Sequence, residues 1–204
     1  SALREFMRGL VDGGPTPSGH RTPAVFVEPC IIGLDEAYAR ANSWVIQQLL
    51  DCGIHGIHIC HARDTKAIQV FSQMSCRYPF PRPGINLPMR GLRGSSAGYA
   101  AQIWGVPLHK YNHLADLWPL NPEGDLFSII MIESAEGVKN VEEIAQVPGV
   151  GVLFVGTAGD LPASLGVPPG SPEVEVAAQK VLAACKKYNV ICGGLGNPND
   201  IERK

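Results

Sequence analysis

The feature that most constrains this chain is a series of short apolar runs, most of which stop at a charged residue or a glycine. They are AVFVEP (24–29), GIHICH (56–61), SIIMIE (128–133), GVLFVG (151–156) and NVICGG (189–194). Each is rich in β-branched residues and bounded by Gly, Pro or polar positions, which marks strands. Their apolarity is continuous rather than alternating, so it predicts parallel strands covered on both faces.

Helical spacing fills the intervals. Residues 34–53 place Ala37, Ala41, Trp44, Val45, Gln48 and Leu49 on one face, and Gly53 suits the stop. Residues 133–147 form a shorter helix with Val138, Val141, Ile144 and Ala145 on one face. Residues 171–189 open with Ser171 as N-cap and Pro172 at the first turn. They close with Lys186 and Lys187, which suit the negative end of the helix dipole.

Strand–helix alternation of this kind means an α/β fold with a parallel sheet. No G-x-G-x-x-G follows the first strand, so a dinucleotide-binding fold is disfavoured. The expectation is a TIM (β/α)₈-type barrel, but an incomplete one. Five strands are legible in 204 residues, where eight strands and roughly 250 residues are usual. The chain reads as a single domain over 1–204 with an irregular loop insert at about 77–124. That insert is rich in Pro, Gly, Arg and aromatic residues, which suits a lid or an oligomer contact.

Composition removes other classes. Seventeen basic and 19 acidic residues give a net charge of -2 without a basic run, which argues against nucleic acid. No apolar segment reaches membrane-spanning length, and the amphipathic start SALREFMRGLV is no signal peptide. The six cysteines form no C-x-x-C pair and several lie in apolar runs, so they read as reduced thiols in a cytoplasmic protein.

Parallel barrels place their sites at the C-terminal ends of the strands. Here those ends offer Glu28, His61, Glu133 and, after GTAGD, Asp160. Three carboxylates and a histidine would converge on one rim, a donor set for Mg²⁺, Mn²⁺ or Co²⁺. The alternative for Glu133 is a charge in the first turn of the next helix, and for Asp160 a turn or N-cap residue. The turn Thr157-Ala158-Gly159 offers backbone N–H groups to an anion. His55, His58 and His61 recur every third residue, so His58 faces away from the other two and reads as a satisfied core histidine. His61, at the strand end, is the catalytic candidate. His109 and His113 have i, i+4 spacing but lack the H-E-x-x-H glutamate. Arg90, with Arg93, lies in a glycine-rich loop able to meet a carboxylate or phosphate.

The segment IIMIESAEGVKNVEEIAQVPGVGVLFVGTAGDLPASLGVPPGSPEV resembles the HpcH/HpaI aldolase family, the class II pyruvate aldolases of the phosphoenolpyruvate/pyruvate barrel superfamily. The likeness is close over 126–176 and looser back through QLLDCGIHGIHICHARDTKAI and AVFVEP. It implies that Glu133 and Asp160 are metal ligands. It also implies that the turn 157–159 takes a substrate carboxylate, and that a 4-hydroxy-2-oxo acid is cleaved to pyruvate and an aldehyde. A small 2-oxo acid is then the partner, and a homo-oligomer is expected. The chain departs from the family pattern by carrying Glu28 where an arginine is usual and Met131 where a glutamine is common. Its turn GTAGD is also longer. The family's first two strands, with a general-base histidine, would precede Ser1. Two alternatives stay open: a diverged or truncated non-catalytic protein of this fold, and a citrate-lyase-β-like enzyme acting on a CoA thioester.

Overall fold

A computed structural model describes residues 1–29 and 33–194. The chain opens with helix α1 (Ala2–Asp12), followed by strand β1 (Phe26–Val27), α2 (Glu36–Ala41), α3 (Ser43–Leu50) and β2 (Gly56–Ile59). α4 (Thr65–Gln69) continues into a π-helical turn, Val70–Ser75. Then come α5 (Gly98–Trp104), α6 (Leu108–Leu114), β3 (Leu117–Trp118), β4 (Leu126–Ile132) and α7 (Ala135–Ala145). β5 (Val152–Val155), α8 (Asp160–Leu165), α9 (Pro172–Tyr188) and β6 (Ile191–Gly194) complete the described chain.

The strands lie in the order β1-β2-β4-β5-β6, and every pair is parallel. β3 pairs in parallel with the start of β4. The α/β architecture is the one the alternating pattern predicts. Among the described residues the sheet does not close on itself, and β1 and β6 are its edges.

That openness changes one expectation. The apolar run of β4 alternates strictly in burial: Leu126, Ser128, Ile130 and Ile132 are buried, and Phe127, Ile129 and Met131 are half-buried. Ile57, Ile59, Ile130, Ile132, Leu153 and Val155 share a core with Val141 and Ile144 of α7 and Val181 and Cys185 of α9. The other face, carrying His58, Met131 and Phe154, is the inner wall, and the described strands cover it only in part. Continuous apolarity thus predicts a strand built for two covered faces, of which helices cover one.

Two elements differ from the periodicity. The helix expected over 34–53 divides at Asn42, whose Nδ2 donates to the Tyr38 carbonyl. A side chain that competes for a backbone acceptor in this way ends the first helix. Residues 77–124 carry α5, α6 and β3 rather than an unbroken loop. Buried polar pairs hold them. The Arg77 guanidinium meets both oxygens of Asp116 at 2.6 and 2.9 Å, Arg82 Nε lies 2.9 Å from the same carboxylate, and Asp116 is 1% exposed. Arg93, buried, lies over the Tyr78 ring and donates to the Ala115 carbonyl and the Tyr111 hydroxyl. Pro and Gly content hid these elements, because long-range ion pairs hold them rather than local propensity.

Candidate metal centre

β4 ends at Ile132, and Ser134 caps α7 by accepting from the Gly137 N–H. Glu133 therefore lies outside the helix, not in its first turn. Its side chain turns inward and is buried. Gly156, at the end of β5, makes room for it: a Cβ there would stand 3.2 Å from Glu133 Oε2. Across the sheet, the N–H of His61 donates to Glu133 Oε1 at 2.8 Å. His61 has φ +48°, the left-handed region that a β-carbon disfavours. Such strain costs of order 1 kcal/mol and persists where surrounding contacts impose it, commonly at functional sites. Here it brings His61 Nδ1 to 3.3 Å from Glu133 Oε1.

Asp160 begins α8 and reaches the same place from the far side of β5. One ligand atom each from His61, Glu133 and Asp160 lies within 4.8 Å of the others. Octahedral donors at about 2.1 Å from an ion sit roughly 3 Å apart, so a modest turn of the exposed Asp160 side chain closes the set. The two carboxylates suit Mg²⁺, Mn²⁺ or Co²⁺, and the His61 imidazole stands beside them. Electrostatics favour a cation. Burial raises the Glu133 pKa; the His61 N–H and imidazole pull it back, and the charges of Asp160 and Glu28 push it up. A bound cation relieves that repulsion.

In the turn before Asp160, the N–H groups of Thr157, Ala158 and Gly159 meet no hydrogen-bond acceptor among the described residues. They are available to an anion beside the carboxylates.

Arg90 lies elsewhere. The nearby Leu92 and Arg93 donate to the carbonyls of Met74, in the last turn of the helical segment that follows β2, and Arg77, just past its end. That segment runs back from the rim, so its far end is the opposite end of the sheet. Arg90 is exposed, and no hydrogen bond or ion pair ties it to the cluster among the described residues. A cleft of about 550 Å³ bordered by His20, His55, Trp104 and Asp125 also lies at that opposite end and holds none of the candidate site residues.

The remaining histidines sort by position. His55 stacks on Trp104 and its Nδ1 accepts from the Val25 N–H. His113 contacts Glu123 and Arg82, and no metal-capable group among the described residues includes it. His58 is not a fully satisfied core residue. Its Nδ1 lies 3.6 Å from Glu28 Oε2, and its buried Nε2 has no hydrogen-bond partner. Burial lowers its pKa, against the Glu28 charge. On the same face, the Cys60 thiol is pushed up to about 12 by burial, then by its hydrogen bond to Glu28, then by the charges of Glu28, Glu133 and Asp160. The i, i+2 spacing of His58 and Cys60 was the signal for this pairing, and only the third element, Glu28 of the neighbouring strand, needed the fold. Cys52, Cys60, Cys76, Cys185 and Cys192 are free thiols, and Cys30 lies outside the described residues.

The sequence pattern described as HpcH/HpaI aldolase/citrate lyase matches residues 42–202. A 4-hydroxy-2-oxovalerate aldolase of Rhodococcus jostii is 35% identical over 194 residues, covering 89% of this chain and 67% of its own length. A 5-keto-4-deoxy-D-glucarate aldolase of Citrobacter koseri is 30% identical, covering 73% of this chain and 51% of its own. The chain thus spans about half to two thirds of the curated relatives it matches. In structure, an HpcH/HpaI aldolase of Desulfitobacterium hafniense superposes with a TM-score of 0.65 at 20% identity, over 88% of this chain and 61% of its own. A family protein of Burkholderia cenocepacia gives 0.62 at 25% identity, over 98% and 78%.

Proposed function

The chain belongs to the HpcH/HpaI aldolase/citrate lyase family, and on that premise we propose that it is a divalent-metal-dependent carbon–carbon lyase. The proposed reaction cleaves a 4-hydroxy-2-oxo acid to pyruvate and an aldehyde, and runs in reverse as an aldol addition. The observation that carries this reading is the convergence of His61, Glu133 and Asp160 within 4.8 Å at the C-terminal rim of a parallel sheet.

In this reading Glu133 and Asp160 hold the ion, which when bound supplies Lewis acidity for the developing enolate. Glu133 is fixed in advance by the His61 N–H and by the space beside Gly156. The N–H groups of Thr157, Ala158 and Gly159 take the substrate carboxylate, which orients C3 and C4 over the rim. His61 presents a half-exposed imidazole to the same point and carries the proton exchanged there. Residues 1–204 act as one barrel unit, and the sheet edges favour self-association. Among the described residues no helix is long and apolar enough to cross a membrane.

The test is pyruvate release from 4-hydroxy-2-oxo acids with Mg²⁺, Mn²⁺ or Co²⁺, followed by coupled NADH oxidation with lactate dehydrogenase. Metal-dependent release that is lost in Glu133→Gln and Asp160→Asn is the expected result. Unchanged release in both variants would overturn the assignment. No divalent-ion binding by calorimetry near neutral pH would favour a non-catalytic relative.

A further inference from the structure

Among the described residues, Glu28 joins His61, Glu133 and Asp160 at the C-terminal end of the sheet, and the metal-capable set uses the last three. Glu28 follows β1, the strand on the far side of β2. Its side chain is 57% exposed, so it faces the open rim rather than the core. His58 Nδ1 lies 3.6 Å from its carboxylate. The His58 ring packs edge-to-face with Phe154, and its buried Nε2 has no hydrogen-bond partner among the described residues. Glu28 is therefore a rim charge with the His58 ring beside it.

The order of strands sets which part of a substrate it meets. The free N–H groups stand at the end of β5, and the metal-capable donors span β5, β4 and β2. Neighbouring strands are about 4.8 Å apart, so β1 stands roughly 10 Å from β4 along the rim. An oxo acid with its carboxylate at the β5 turn extends C3, C4 and the aldehyde half toward β2 and β1. Glu28 is the side chain waiting there.

We propose that Glu28, positioned by His58, sets the aldehyde selectivity of this site: it accepts hydrogen bonds from neutral, hydroxylated aldehydes and excludes aldehydes that carry a carboxylate. A fixed carboxylate is an acceptor for hydroxyl groups. It repels a second carboxylate, and building repulsion against a competitor is a direct route to specificity. This rests on the aldolase reading above, because it assigns the aldehyde side of that same reaction.

Two measurements on the 204-residue chain separate the two readings. Exchange of the pyruvate methyl protons into D₂O, followed by ¹H NMR, needs the ion and the enolate but no aldehyde. Aldol addition of pyruvate to glycolaldehyde and to glyoxylate then gives a ratio of kcat/KM, in which any general loss of activity cancels. The wild type is expected to favour glycolaldehyde by at least roughly tenfold, the scale of one unit-charge repulsion across a hydrated rim. Glu28→Gln shifts the ratio toward glyoxylate by about the same factor. His58→Gln, which loosens Glu28 without removing its charge, shifts it in the same direction by less. Metal-dependent exchange with a ratio unmoved in Glu28→Gln overturns the role of Glu28 and leaves the aldolase reading standing. No exchange in the wild type overturns both.

Discussion

Replacing Glu133 by Gln tests the metal centre through two signs that no simple structural role reproduces together. Gln keeps an oxygen to accept the His61 N–H now given to Oε1 at 2.8 Å, and it fits the same buried space beside Gly156. It removes a charge that burial, Asp160 and Glu28 all disfavour. A carboxyl whose pKa is raised in the fold costs stability once pH exceeds its folded value, so at pH 7 the metal-free variant is expected to be as stable as the wild type or more so. With the ion present the order reverses. An ion at 100 times its Kd stabilises the folded state by about 2.7 kcal/mol. A domain of this size gains roughly 2–4 °C in Tm per kcal/mol, so saturating Mn²⁺ should raise the wild-type Tm by roughly 5–10 °C. Glu133→Gln should show little of that shift. The assay is differential scanning fluorimetry with and without Mn²⁺, with EDTA reversal. An equal Mn²⁺ shift in the variant, or a metal-free Tm several degrees below wild type, would refute the reasoning.

The insert and the edge strand give two further tests. Asp116→Asn leaves the buried Arg77 and the nearly buried Arg82 without their shared carboxylate, so urea unfolding should show a loss of about 3–5 kcal/mol; a change under 1 kcal/mol would mean that water already satisfies the pair. Cys192, exposed on β6, has its pKa lowered to about 7 by a hydrogen bond with Cys185, against burial. Its alkylation rate should rise with pH to a midpoint near 7, and Cys185→Ala should move the midpoint up toward an ordinary thiol. A midpoint unmoved by that change would show that Cys185 is not the cause.

Local sequence was enough for the α/β class, the five main strands and the rim residues. Each depends on a short-range property: β-branched apolar runs, helical spacing between them, and charge at the strand ends. Glu28, His61, Glu133 and Asp160 could be found together without coordinates, because a parallel sheet puts every strand's C-terminal end on one side. Sequence left open whether Glu133 served the next helix or the rim. The cap at Ser134 and the reach of the His61 N–H from the neighbouring strand decided that. Tertiary structure alone put α5, α6 and β3 into a stretch that looks irregular, because Asp116 holds Arg77 from 39 positions away. It alone moved Arg90 to the far end of the sheet, and it alone joined His58 to Glu28. The physical reason is common to all of these. Periodicity and end-of-strand chemistry are carried by neighbours in the chain, whereas a buried charge pair or the direction of a loop is fixed only when distant segments pack and exclude water.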